Sequence, residues 1–428
     1  MLIQTSEAFD AWTKNWSSPA PTTYQGSDEL AFQRWFKFKE AFSPALVRSV
    51  VDGQKKRPEH ILDCCGGSGT TGVVAQFMGI ESTLIEVNPF LADLIESKLA
   101  NYQHVDLPSE AARVIRRAHQ YKVDLAALRK RLPPTFIEPG VNERWLFSKN
   151  VAKTIESYRL AISECSDETI KRLFTTALAS ILIPASNVRI DGKGRRYRSN
   201  WEARNITSEN VREAFLGAVG NMIEDIYRHA RVERAKYNLL RGDAREQIQH
   251  IKSEVSLAIF SPPYPNSFDY TDIYNVELWM LGYFSVAADN TALRHSTLRS
   301  HVQCTWDSLG DALPSKTLTR TLEKLDDVRN TLWNRRLPEM VRSYFGDMQT
   351  LLRESSLKLS REGQIAMVVG NSSYANVLID VPAILCELAH DMGLRTVSSK
   401  SARAMRSSIQ QGSADKTLAE SLVILARY

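Results

Sequence analysis

The stretch that most limits what this chain can become runs from His60 to Met78. His60-Ile61-Leu62-Asp63 has the apolar character and length of a short strand, and it ends on an acid. Cys64-Cys65-Gly66-Gly67-Ser68-Gly69-Thr70-Thr71-Gly72 follows, and then Val73–Met78, which reads as helix. Strand, glycine-rich turn and helix in that order make the opening unit of a doubly wound α/β fold. The glycines let the backbone approach a ligand closely, and the helix N-terminus offers free N–H donors. The next strand, Glu81–Val87, runs into Glu86-Val87-Asn88-Pro89. Glu86 lies about 20 residues beyond the turn, where a strand-end carboxylate can accept both hydroxyls of a ribose. A tight turn in an unrelated α/β protein remains the plain alternative.

The turn lacks the lysine before a final Ser/Thr that a phosphate loop requires, and it does not follow the G-x-G-x-x-G order of a dinucleotide site. A nucleoside ligand without a diphosphate fits better, and S-adenosylmethionine is the common one.

A second motif lies far downstream. Val255–Ile259 is an apolar run of strand length, and Phe260-Ser261-Pro262-Pro263-Tyr264 closes it. Two prolines cannot continue a sheet ladder, and Pro262 pushes Ser261 towards an extended backbone. The product is a stiff strand-end loop presenting a hydroxyl, a carbonyl and an aromatic ring, a shape suited to a flat, amino-bearing ring. A proline-rich turn with a packed tyrosine is the plain alternative.

Between and around these motifs the chain of 428 residues divides unevenly. Residues 1–30 are polar and read as an arm or loosely packed lead-in. Ser43-Pro44 reads as an N-cap with proline in the first turn of a helix over Ala45–Asp52. Residues 91–240 lose the strand–helix alternation and carry Leu, Ala, Arg and Glu at helical spacing. They contain one basic loop or hairpin, Asn187 to Trp201, in which Arg189, Lys193, Arg195, Arg196 and Arg198 are the candidate polyanion contacts. Alternation resumes with a strand ending in Gly242-Asp243-Ala244. Asp243 there can accept an adenine amino proton or cap the next helix. A second irregular, helix-biased region follows the Ser-Pro-Pro-Tyr loop. After it come a helix near 341–360, a strand Gly363–Val369, a helix 382–392 and two antiparallel strands within Arg395–Tyr428, joined by a basic loop with Arg403, Arg406 and Gln410-Gln411-Gly412-Ser413. The expected division is 1–100 (arm and first half of the core), 101–235 (helical insertion), 236–284 (core with the catalytic loop), 285–344 (second insertion) and 345–428 (end of the core).

The formal charge of +5 permits a polyanionic partner without demanding one. The five cysteines form no metal or disulfide framework by spacing, and the histidines show no metal spacing, so no metal is expected. No run approaches the ~18 apolar residues of a membrane span, and Met1 to Trp16 has no apolar signal core, so a cytoplasmic protein is expected.

Taken with their order, these residues resemble the S-adenosylmethionine-dependent amino-methyltransferases that modify exocyclic amines of DNA bases. Asp63 to Thr71 is similar to their Asp-Pro-Phe-x-Gly-Ser-Gly-Thr-Thr cofactor loop, with Cys64-Cys65 in place of Pro-Phe. Ser261-Pro262-Pro263-Tyr264 matches their catalytic motif in its serine form, associated mostly with cytosine N4, the aspartate form mostly with adenine N6. Phe36–Pro44 is similar to the motif that helps seat the methionine part, Gly242-Asp243-Ala244 to the third cofactor motif, and Glu420-Ser421-Leu422-Val423 to the closing strand. The resemblance covers about 36–100, 236–283 and 345–428. It implies a Rossmann-like class I fold with a mixed, mostly parallel seven-stranded sheet, interrupted by the helical insertion. It also implies cofactor contacts at Phe42, Asp63, Gly66, Gly67, Ser68, Gly69, Thr70, Thr71, Glu86, Asn88, Asp243 and Ala244, and a catalytic set of Ser261, Pro262, Pro263 and Tyr264. The implied partner is double-stranded DNA with the target base flipped out, and a restriction endonuclease partner is possible. Adenine N6, an RNA base and a catalytically inactive nucleic-acid-binding protein of the same fold are the alternatives.

Overall fold

The computed structural model describes residues 5–191, 194–304, 313–405 and 418–428. Among them, seven strands build one sheet: β1 His60–Asp63, β2 Glu81–Glu86, β3 Tyr237–Arg241, β4 Val255–Phe260, β5 Leu359–Gly370, β6 Leu394–Met405 and β7 Leu418–Arg427. Their spatial order is β6-β7-β5-β4-β1-β2-β3. The β1–β2, β2–β3, β1–β4 and β4–β5 pairs are parallel, and β7 runs antiparallel to both of its neighbours. This is the Rossmann-like class I methyltransferase order, with its one reversed strand.

The topology explains why motifs almost two hundred residues apart can cooperate. From β1 the chain winds outward through β2 and β3, then returns to lay β4 against the other side of β1. Ile61 pairs with Leu257 and Leu62 with Ala258, so the turn after Asp63 and the loop after Phe260 leave the same sheet edge as neighbours. That reversal is the switch point where open α/β sheets open a crevice. β4 is apolar at nearly every position because both sheet faces are covered. Leu257 and Ile259 enter one core, whereas Val255, Ala258 and Phe260 enter the other.

Helix α1 (Pro44–Asp52) begins where the sequence places it, with the Ser43 hydroxyl accepting the Ala45 N–H at 3.2 Å. Helix α2 spans Thr70–Met78 and α3 spans Pro89–Leu99. The long insertion between β2 and β3 contributes α4 (Lys149–Ser163), α5 (Glu168–Leu182) and α6 (Ser208–Arg228), with α5 packed along α3. Later helices are α7 (Leu337–Lys358) and α8 (Val381–Asp391). None of the described helices is long and apolar enough to cross a membrane.

The lead-in is not a loose arm. A helix over Thr5–Thr13 lies on α2, and Trp12 stacks on Phe77 with ring centroids 4.3 Å apart. Phe9, Trp12, Tyr24 and Leu30 are all buried. The segment after it is fastened to the insertion by one buried acid. Asp225 on α6 accepts the Phe32 N–H at 3.0 Å, the Trp35 Nε1–H at 2.9 Å and the Arg34 guanidinium at 2.6 Å. Such a bonded carboxylate is costly to leave unpaired, so it fixes how Phe36–Phe42 approaches the sheet edge.

Candidate active site

The glycine turn is shaped from below by buried ionisable groups. Asp63 is 2% exposed, and its two oxygens accept the Thr71 hydroxyl at 2.6 Å and the Cys65 N–H at 2.9 Å. Gly67 and Gly69 have φ of +52° and +79°, which side chains tolerate poorly. A Cβ on Gly67 would stand 3.0 Å from the Phe38 ring, so the turn and the Phe36–Pro44 segment meet closely there. At the end of β2, Glu86 accepts the Gly67 N–H at 2.7 Å and the Asn88 N–H at 2.8 Å. Asn88 itself caps α3 by accepting the Phe90 and Leu91 N–H groups. Lys98 on α3 is buried and donates to the Ser68 carbonyl at 2.7 Å. Burial pushes Asp63 up to about 6 and Glu86 up to about 7, and lowers Lys98 to about 7. The turn is thus held in one shape by groups that resist rearrangement.

The Ser261–Tyr264 loop faces it. The Ser261 hydroxyl donates to the Val368 carbonyl at 3.1 Å, which consumes its hydrogen and leaves the oxygen lone pairs for a donor from the cavity. The Tyr264 hydroxyl donates to Glu420 Oε1 at 2.9 Å. Burial, then the neighbouring Glu420 charge, push the Tyr264 phenol well above its ordinary value, so the ring stays neutral.

A cavity of about 810 Å³ joins the two loops along the carboxyl ends of β1, β2 and β4. Asp63, Gly66, Gly67, Ser68 and Thr70 line it from the turn, and Ser261, Pro262, Pro263 and Tyr264 from the loop. Phe42, Glu86, Asn88, Asp243 and Ala244 complete the expected set. Gly69 and Thr71 lie behind the wall: Gly69 sits against Ile95, and Thr71 is fully buried on Asp63. Asp243 caps the short helix after β3 through the Arg245 N–H, and the Arg245 guanidinium also holds its carboxylate. The capping half of its two sequence readings is therefore present.

The cavity wall also contains Glu40, Tyr270, His301, Arg403 and Glu420, whose place in the site the sequence left unassigned. Glu40 accepts the Tyr274 hydroxyl at 2.6 Å; the sequence placed it within the Phe36–Pro44 segment without giving it a role of its own. His301 comes from the second insertion and is 1% exposed, with Asp269 3.9 Å away.

The basic hairpin forms, with Val188–Asp191 paired to Gly194–Tyr197. It abuts the site: Lys39 donates to the Ile190 carbonyl at 2.7 Å, and Asp191 lines the cavity. Its arginines are not equivalent. Arg189 and Arg196 are exposed, Arg196 pairing with Asp191 at 3.2 Å. Arg198 is half-buried, and burial followed by the charges of Arg204 and Arg189 lowers its pKa, which marks a cluster of like charge. Arg195 departs from the expected outward contact. Its guanidinium lies 5.6 Å from the Phe136 ring, and its charge acts on buried Glu277, whose carboxyl burial pushes up to about 8. Alternation in a two-residue repeat turns this side chain inward. Lys193 and the Arg406 to Ser413 loop lie outside the described residues.

The chain is 26% identical over 401 residues to type II methyltransferase M.AvaI of Nostoc sp. and to the same-named protein of Anabaena variabilis, covering 87% of this chain and 80% of each relative. It is 23% identical over 433 residues to type II methyltransferase M.BsoBI of Geobacillus stearothermophilus, covering 88% of this chain and 81% of the relative. Among solved structures, the rRNA methyltransferase aviRa of Streptomyces viridochromogenes aligns over 95% of this chain and 88% of its own, at 8% identity and a TM-score of 0.30. No family model matches.

Proposed function

We propose that this chain, a member of the type II methyltransferase family, transfers a methyl group from S-adenosylmethionine to the exocyclic amine of a DNA base, cytosine N4. The observation that carries the reading is the single cavity lined by the glycine turn, Glu86 and the Ser-Pro-Pro-Tyr loop.

The residues fit the cofactor. The turn presents glycine backbone where a Cβ would crowd the Phe38 ring, and the Glu86 carboxylate, buried at the end of β2, keeps lone pairs beyond the two N–H bonds it accepts. Glu86 would hold the ribose hydroxyls, Gly66–Ser68 would take the nucleoside against the backbone, and Phe42 would wall the amino-acid end. When bound, the cofactor supplies an electrophilic methyl group on a sulfonium.

The chain's own groups then handle the acceptor. A base amine inside a duplex is inaccessible, so the base must leave the stack. Tyr264 offers a ring for it to stack on. The Ser261 oxygen and the Pro262 carbonyl accept from the amino group, drawing its lone pair out of conjugation with the ring. Positioning and oriented acceptors, more than a strong base, accelerate such a transfer. Ser261 as the acceptor favours cytosine N4 within the resembling family.

The hairpin beside the cavity is the proposed phosphate contact, through Arg189 and Arg198, with Arg204 just beyond the hairpin adding to the same positive cluster. Changing Arg189 and Arg204 together to alanine should weaken DNA binding on all sequences alike. It should also flatten the dependence of log K on log salt by roughly one unit for each phosphate no longer neutralised. Fluorescence anisotropy across a salt series measures this. An unchanged slope would place the DNA elsewhere.

The whole reading is tested by incubating the protein with methyl-labelled S-adenosylmethionine and separated pools of DNA, RNA and protein. Label should enter the DNA pool. Label confined to RNA or protein would replace the substrate, and none in any pool would remove the activity.

A further inference from the structure

The Tyr264 ring is seated by a row of residues running across three strands. Arg403 on β6, Glu420 on β7 and Gly370 on β5 are consecutive cross-strand partners at the cavity edge of the sheet. Glu420 is 2% exposed, a rare place for an acid unless it is bonded. It accepts from the Tyr264 hydroxyl at 2.9 Å, and from Arg403 through Nε at 2.6 Å and Nη2 at 3.1 Å. Gly370 supplies the floor. A Cβ built there would stand 2.6 Å from Tyr264 Cε2 and 2.7 Å from the Met405 methyl, distances that real side chains do not sustain. The ring is thus fixed at its tip by a bonded carboxylate and along its edge by a bare backbone. Register irregularities in the β6–β7 ladder, between Ser401 and Arg403, bring the arginine into line with Glu420.

We propose that Glu420, braced by Arg403 and with Gly370 beneath, is a positioning residue that pre-sets the Tyr264 ring as the stacking surface for the methyl-accepting base. The inference rests on the proposed function, and it assigns a role to Glu420 that acts through Tyr264 alone. A stacking face already ordered before the base arrives loses less freedom on binding, and holds the amine nearer its reactive position.

A double-mutant cycle tests it, with Tyr264→Phe and Glu420→Gln made singly and together. Single-turnover methyl transfer to DNA, donor binding and the thermal midpoint are read for each. Deleting the phenolic donor, or exchanging its charged acceptor for a neutral amide oxygen that also loses the Arg403 ion pair, should lower the transfer rate roughly tenfold in either single variant, with donor affinity unchanged. The double variant should be no slower than the slower single. Gly370→Ala should lower the rate likewise in the wild-type background, and have little further effect when Tyr264 is alanine. Rates that multiply in the double variant, or a Glu420→Gln enzyme as fast as wild type, would overturn the positioning role while leaving the methyltransferase reading intact. A wild-type protein that methylates no nucleic acid would overturn both.

Discussion

Tyr264→Ala should reduce methyl transfer by roughly a thousandfold while leaving donor binding within about twofold of wild type. The size comes from two separable effects. Base–aromatic stacking is worth roughly 1–3 kcal/mol per base, and misplacing a reacting group by an ångström costs about a hundredfold in rate. Removing the ring also leaves Glu420 without its phenolic donor beside Arg403, so the cavity edge loses order as well as surface. The donor side is spared because the turn is held by its own partners, Asp63, Glu86 and Lys98. Ser261→Ala should act in the same direction, since it removes an acceptor whose hydrogen is already committed to the Val368 carbonyl. Single-turnover transfer and calorimetric donor binding, measured on the same preparations, separate the effects. A Tyr264→Ala enzyme that turns over normally would remove the catalytic assignment.

Glu86→Ala should have the opposite signature. Hydrogen bonds to a charged group contribute roughly 1.5–3 kcal/mol each, so losing the bonds to a ribose should weaken donor binding at least about a hundredfold. The substitution also frees the Gly67 and Asn88 N–H groups, which loosens the turn. The same carboxylate sets a pH dependence. Burial pushes Glu86 from its ordinary 4.5 up to about 7, against the N–H bonds from Asn88 and Gly67 that lower it. Hydroxyl donors prefer the ionised form, so donor affinity should rise as pH increases through about 7 and level off above. Stability of the free protein should move the other way. Because the folded pKa lies above the unfolded one, the folded state holds the extra proton between about 4.5 and 7, and stability falls as pH rises across that window. Asp63, raised to about 6, adds to the same trend. Calorimetric affinity from pH 6 to 8 should slope upward in wild type, and Glu86→Gln should reduce that slope, leaving what the buried Lys98 ammonium on the same turn, lowered to about 7, contributes. An equal slope in both would assign the proton elsewhere.

Much of the scaffold was legible because it depends on local rules. β1 and β4 fall on the residues where apolar runs meet glycines or prolines, and α1 begins at its serine–proline cap. The start of α2 was less so. Gly72 reads as part of the turn, yet it lies inside the helix, where a Cβ would come 2.9 Å from Leu99 and 3.1 Å from Leu84. Its use is close helix–sheet packing, which only tertiary structure reveals. The lead-in shows the same limit, since Trp12 and Phe9 are isolated in a polar segment and gain meaning only against Phe77 and α2. In the hairpin, composition registers positive charge but not which arginine the strand repeat turns inward, as it does Arg195. Glu420 was visible as part of a closing strand, but an acid in a strand looks solvent-facing until its cross-strand neighbours are known.

In the proposed function one loop binds a methyl donor and its neighbour aims an exocyclic amine at it. The most direct measurement is to methylate duplex DNA with isotopically labelled S-adenosylmethionine, digest it to nucleosides and identify the labelled product by mass spectrometry. N4-methylcytosine is expected, present with wild type and absent with Ser261→Ala. Label on a ring carbon of cytosine, or on no nucleoside at all, would contradict it.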